Sequence, residues 1–205
     1  MISRKVKTPP RPTKRKRKST DLSAARRENA PRKPRLAYLA FGSNIGQPRR
    51  RLARALAEAA RLGRLRAVSS VYLTEPVGGV PQPDFYNAVA ALEWSGSPRE
   101  LLRATQEIER LVGRTPGERN GPREIDVDIL DLGGLTRSGA DPVLPHPRMR
   151  ERRFVLAPLS EIAPDWRHPV GGESAAELLR ALPARPAVRR LSSTRRGSSA
   201  RRSGS

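Results

Sequence analysis

Between Leu36 and Leu132 the hydrophobic period switches between two residues and 3.6 in one order, and that order leaves few folds open. Leu36–Phe41 (LAYLAF) is a short apolar run suited to a buried strand, ended by Gly42-Ser43-Asn44. Pro48–Leu62 puts Leu52, Ala55, Leu56, Ala59 and Leu62 on one helical face with arginines opposite. Leu65–Thr74 and Phe85–Trp94 read as strands, separated by a loop bearing Gly78, Gly79, Pro81 and Pro83. Ser97-Pro98-Arg99-Glu100 is a capping box with Pro at the first helical position. It opens a helix whose Leu101, Thr105, Ile108 and Val112 face one way. A loop carrying Gly113, Gly117 and Gly121 leads to a last strand, Glu124–Leu132. The order β-α-β-β-α-β predicts an α+β fold: a ferredoxin-like sheet with helices packed on one face. Short extra helices are predicted at 151–162 and 174–182.

Charge sets the boundaries of this core. Of the net +21, residues 1–35 supply +12 and residues 185–205 supply +7, which leaves +2 for residues 36–184. Both ends are rich in charge and in Pro or Ser, lack periodicity, and cannot bury enough apolar area to offset their ordering entropy. They are predicted to be disordered basic tails flanking one domain. A nucleic-acid binder gripping phosphates through those tails is therefore the rival to an enzyme. With no Cys and two His, thiolate zinc sites, disulfides and His-rich metal centres are excluded. The N-terminus has no apolar segment behind its basic residues, and no apolar run is long enough for a spanning helix. The reading is a cytoplasmic protein.

The residues that carry chemistry lie around the last strand. In Arg119–Leu130 (RNGPREIDVDIL), Asp126 and Asp128 are two apart and share one strand face, while Ile125, Val127 and Ile129 point into the core. Their Cα atoms are then about 6–7 Å apart, close enough for both carboxylates to reach one hard cation or two neighbouring ones. Mg²⁺ is commonly held by one or two carboxylates plus substrate phosphates, and the arginine forks of Arg119 and Arg123 suit phosphate oxygens. An isolated Asp-x-Asp can equally be a solvated strand face paired with arginine. An EF-hand is excluded, because its fifth and sixth positions hold Leu130 and Asp131, and no Walker A sequence is present.

The same run resembles the metal-binding signature of the 6-hydroxymethyl-7,8-dihydropterin pyrophosphokinase family. Further segments match in order: AYLAFGSNIG, SSVYLTEPVG, QPDFYNAVAALEW, LLRATQEIERLVGR and LPHPRMRERRFVLAPLSEIAPDW. The resemblance implies transfer of pyrophosphate from ATP to the hydroxymethyl group of a reduced pterin, with release of AMP, in folate synthesis. It implies two Mg²⁺ ions on Asp126 and Asp128, with Arg114 and Arg123 beside them in catalysis; the hydroxyl needs no strong base, since alignment, metal activation or proton transfer to Asp126, the favoured acceptor, would suffice. The pterin is placed between Phe85 and Phe154, read by Asn87, with Thr74 and Val77 completing its pocket. ATP contacts fall on Gln106, Glu109, Arg114, Arg123, Ile129, His146 and Arg152. A monomer acting on small molecules, with no membrane partner, completes the expectation. His168 is read as structural or solvent-facing, and Val77–Asp84 and Gly113–Pro122 as candidate lids. Asn120, Pro116, Gly117, Glu75 and Pro147 depart from residues common in the family.

Overall fold

The computed structural model describes residues 33–77, 81–117, 121–139 and 141–191. Its elements are β1 (Arg35–Ser43), α1 (Pro48–Leu62), β2 (Leu65–Val68), β3 (Tyr72–Thr74), β4 (Phe85–Trp94), α2 (Pro98–Val112) and β5 (Asp126–Leu132). A 3₁₀ turn (Met149–Glu151), α3 (Arg153–Ile162), α4 (Ala175–Ala181) and β6 (Val188–Arg190) follow. All strand pairings are antiparallel, in the order β5-β1-β4-β3-β6, with β2 also paired to β4. The predicted ferredoxin-like core is present, with β1 and β4 at its centre.

Local chemistry explains where the helices begin and end. The Ser97 hydroxyl accepts the Glu100 N–H at 3.2 Å, and the Glu100 carboxylate accepts the Ser97 N–H at 2.6 Å, closing the capping box of α2. Gly113 ends that helix at φ +96°, in the left-handed region, and its N–H bonds the carbonyls of Glu109 and Arg110. Burial of Leu52, Ala55 and Ala59 on α1, and of Leu101, Ile108 and Val112 on α2, closes one sheet face with Leu39, Phe41, Ala90 and Leu92.

Three features differ from the sequence expectation. The segment expected as one strand at 65–74 is two, because the chain leaves the ladder at Ser69 and Ser70. The Ser69 hydroxyl accepts the Val89 N–H, while Ser70 donates its N–H and hydroxyl to Glu161 on α3. The sheet is covered on both faces, not one: α3 and α4 bring Val155, Leu156, Leu159 and Leu178 against Tyr38, Val89, Ala91 and Leu130. The described structure also runs past the boundary expected at residue 184, to Leu191. Residues 185–191 were expected to belong to a structureless tail, yet Val188–Arg190 pairs with β3, and the Leu191 N–H donates to the Val71 carbonyl. A single valine followed by two arginines gives no local strand signal; the partner supplies it. The predicted character of residues 1–32 and 192–205 lies outside the described residues.

Candidate active site

The site floor is one row across three strands. Gly42 on β1 stands opposite Asn87 on β4 and opposite Asp126 on β5; two residues back, Ala40 stands opposite Asp128. Directly opposed residues share a face, so an amide and two carboxylates rise around a strand that carries almost no side chain there. A Cβ on Gly42 would come within 2.9 Å of Asn87 Oδ1, so the amide occupies the space the missing side chain leaves. Above this floor is a cavity of about 340 Å³ on the face covered by α3.

One half of the cavity is uncharged along its floor. Asn87 is buried and donates to Thr74 Oγ1 at 2.7 Å, which leaves the Asn87 Oδ1 and a second N–H for a ligand. Phe85, Phe154 and Val77 line it, so all five residues that the resemblance assigns to the pterin meet in one place. Val77 sits at the rim and is 56% exposed.

The other half is built from ion pairs. Arg114 and Arg123 each place an Nη1 2.8 Å from a different oxygen of Asp126. Arg152 bonds Asp128 at 2.9 Å, and its guanidinium lies 5.5 Å from the Phe154 ring centroid, joining the two halves. His146 Nδ1 accepts the Arg148 N–H at 3.1 Å, so the neutral ring carries its proton on Nε2, which is 3.8 Å from Asp128. Burial pushes the His146 pKa down; Asp128 opposes the shift, and Arg152 and Arg148 add to it. Near neutral pH the ring is therefore a neutral donor. Each carboxylate keeps about a third or less of its surface exposed, and the pairs can be exchanged for a ligand.

Not every expected nucleotide contact lines this cavity. Arg123, His146 and Arg152 do. Glu109 stands behind Asp126: its carboxylate accepts the Val127 N–H at 2.8 Å and pairs closely with Arg114, so it aims that arginine. Burial raises the Glu109 pKa, against the pull of Val127 N–H and Arg114. Gln106 is exposed on α2, and the Ile129 side chain packs in the core with α1 and α2. Arg119 and Asn120 lie outside the described residues. His168 is buried, not solvent-facing, and its Nδ1 accepts the N–H groups of Val170 and Gly171.

Sequence reasoning missed Asn44, Gly42 and Ala40. Asn44 is 4% exposed; its Oδ1 accepts the Arg123 N–H at 2.7 Å, and its Nδ2 donates to Gln82 and to the Pro83 carbonyl. It pins the loop before β5 to the loop before β4, one on each side of the cavity. The available signal was an Asn ending a strand, which reads equally as a turn residue.

Two carboxylates on one face fit Mg²⁺, which takes few protein oxygens and completes its shell with phosphate and water. Among the described residues no group of three or more His, Cys, Asp or Glu is placed to hold a metal ion.

Residues 38–164 match the family model described as 7,8-dihydro-6-hydroxymethylpterin-pyrophosphokinase (HPPK). A 2-amino-4-hydroxy-6-hydroxymethyldihydropteridine pyrophosphokinase of Pseudomonas aeruginosa is 44% identical over 148 residues, covering 71% of this chain and 91% of its own. The protein of the same name from Bacillus subtilis is 44% identical over 129 residues, 62% of this chain and 77% of that one. Among solved structures, a Plasmodium falciparum HPPK-DHPS resembles the fold with a TM-score of 0.58 at 15% identity, over 72% of this chain. This chain spans 43% of that one, and the likeness concerns fold alone.

Proposed function

The chain belongs to the 7,8-dihydro-6-hydroxymethylpterin-pyrophosphokinase family, and from that premise we propose how its residues divide the work. The enzyme transfers pyrophosphate from ATP to the hydroxymethyl group of 6-hydroxymethyl-7,8-dihydropterin, giving AMP and the pterin diphosphate, in tetrahydrofolate biosynthesis. The hydroxymethyl oxygen forms a bond to the β-phosphorus, the bond from that phosphorus to the α-phosphate oxygen breaks, and the hydroxyl proton passes to a carboxylate oxygen of Asp126.

The observation that carries this reading is the shared row of Asn87, Gly42 and Asp126, which sets an amide pocket beside a carboxylate pair with nothing between them. Asn87 reads the pterin edge, with Phe85 and Phe154 as walls and Thr74 and Val77 closing the pocket. Asp126 and Asp128 hold Mg²⁺, two ions in this reading. Bound there, Mg²⁺ supplies the positive charge that a transferring phosphoryl group needs. Arg114, Arg123 and Arg152 turn from the carboxylates to the phosphates, where their planar forks match phosphate oxygens, and His146 donates from Nε2. Glu109 holds Arg114 in reach from behind, Gln106 meets the nucleotide from α2, and Ile129 offers its backbone. Preset donors facing developing charge are the main source of acceleration in such a site.

The catalytic domain in this reading spans residues 36–191, acting as a cytoplasmic monomer on small molecules. The rival reading, nucleic-acid binding through the basic ends, rests mostly on residues outside those described, and the family membership gives it no support. Product analysis tests the assignment: the chain with ATP, Mg²⁺ and the reduced hydroxymethyl pterin should release AMP. Release of ADP would make it a kinase of another type.

A further inference from the structure

The pterin half of the cavity has an outer edge formed by the chain's C-terminal segment. Thr74, whose hydroxyl holds Asn87, pairs with Phe85 on one side and with Val188 of β6 on the other. Pro186 lies in the bend that leads into β6, two residues before Val188. It is half-buried and lines the cavity, while Arg185 and Ala187 on either side of it are exposed.

A latch holds this segment. The Glu75 N–H donates to the Ala187 carbonyl at 3.2 Å. The Ala187 N–H donates to Glu75 Oε2 at 2.9 Å, and Arg185 pairs with Glu75 Oε1 at 3.3 Å. Glu75 itself lines the cavity beside Thr74 and Val77. The Arg185 side chain is 83% exposed, so that ion pair contributes little. The bond from the Ala187 N–H fixes where Pro186 stands.

We infer that residues 185–190 are the outer wall of the pterin pocket, with Pro186 facing the substrate and Glu75 as the positioning residue that latches it. The inference rests on the pyrophosphokinase reading and adds residues beyond its pterin set. A wall of this kind acts on the pterin and not on ATP, because the nucleotide residues Arg123, His146 and Arg152 belong to the charged half.

The test is steady-state kinetics on the full chain, with KM measured separately for pterin and for ATP. Glu75→Ala removes the acceptor and should raise the pterin KM by roughly 2–10-fold, the net value of one solvent-exposed hydrogen bond, with the ATP KM unchanged. Glu75→Gln keeps an acceptor for the Ala187 N–H and should recover most of that loss. Pro186→Gly leaves the latch in place, removes the wall, and should raise the pterin KM by roughly 3–10-fold, the value of a small apolar contact. A pterin KM that stays at the wild-type value in both Glu75→Ala and Pro186→Gly would overturn the inference while leaving the enzyme reading intact. Equal rises in both KM values would also overturn it, since that marks general loosening. A wild-type chain that makes no AMP would take down the enzyme reading and the inference with it.

Discussion

The two halves of the cavity are held by different forces, although they share one strand row. The amide half is kept by neutral hydrogen bonds and shape: Asn87 on Thr74, Gly42 beneath, Phe85 and Phe154 as walls. The charged half is kept by ion pairs, with three arginines distributed over two carboxylates. A pocket of the first kind is already complementary to a flat polar ring and changes little when one arrives. A site of the second kind is at rest only while its charges satisfy one another, and a triphosphate with its cation can exchange every pair in it. In the proposed reading, substrate recognition is therefore built in advance, whereas the charged half is assembled by the ligand it binds.

Substitutions separate the halves by what they change. Asp126→Asn and Asp128→Asn should each lower kcat on the order of 10²–10³-fold while circular dichroism stays native, because in the proposed reading each removes a ligand of the cation that neutralises the reacting phosphate. If either left kcat near wild type, the charged half would be a solvated strand face. Asn87→Ala should instead raise the pterin KM by roughly 5–100-fold, since it leaves polar ligand atoms and the Thr74 hydroxyl unpaired, with the ATP KM nearly constant. Equal effects on both substrates would erase the division between the halves. Gly42→Ala should push the Asn87 amide aside from below and raise the pterin KM about threefold to tenfold, the range for mild overpacking.

The smallest effect lies outside both halves. Burial lowers the His168 pKa, Arg150 adds to the shift, and Glu173 and Asp131 oppose it. With its folded-state pKa below the unfolded value, the ring contributes stability at neutral pH. That contribution is lost as pH falls through the ordinary histidine range toward the lowered one. Protonation at Nδ1 would also displace the N–H groups of Val170 and Gly171. Thermal melts from pH 7 to 5 should fall more steeply in wild type than in His168→Gln; parallel curves would show that His168 does not titrate in this range.

The parts of the fold and site that the sequence reveals are those encoded locally. The capping box of α2 and the two-residue spacing of Asp126 and Asp128 are local signals, and the structure keeps both. The parts it conceals depend on partners distant in the chain. β6 has a single apolar residue and exists because Tyr72–Thr74 offers it an edge. The break between β2 and β3 follows from Ser69 bonding Val89 while Ser70 bonds Glu161, which lies some ninety residues away. Gly42 reads as the end of a strand, and only register shows that it separates Asn87 from Asp126. The placement of Glu109 behind Asp126 likewise requires the packing of α2 against β5.

Cation binding is the most direct test of the carboxylate pair. With a non-hydrolysable ATP analogue present, Mn²⁺ titrated into the wild-type chain and followed by electron paramagnetic resonance should bind. Asp126→Asn and Asp128→Asn should each weaken that binding by tenfold or more. Mn²⁺ affinity unchanged in both variants would contradict the account.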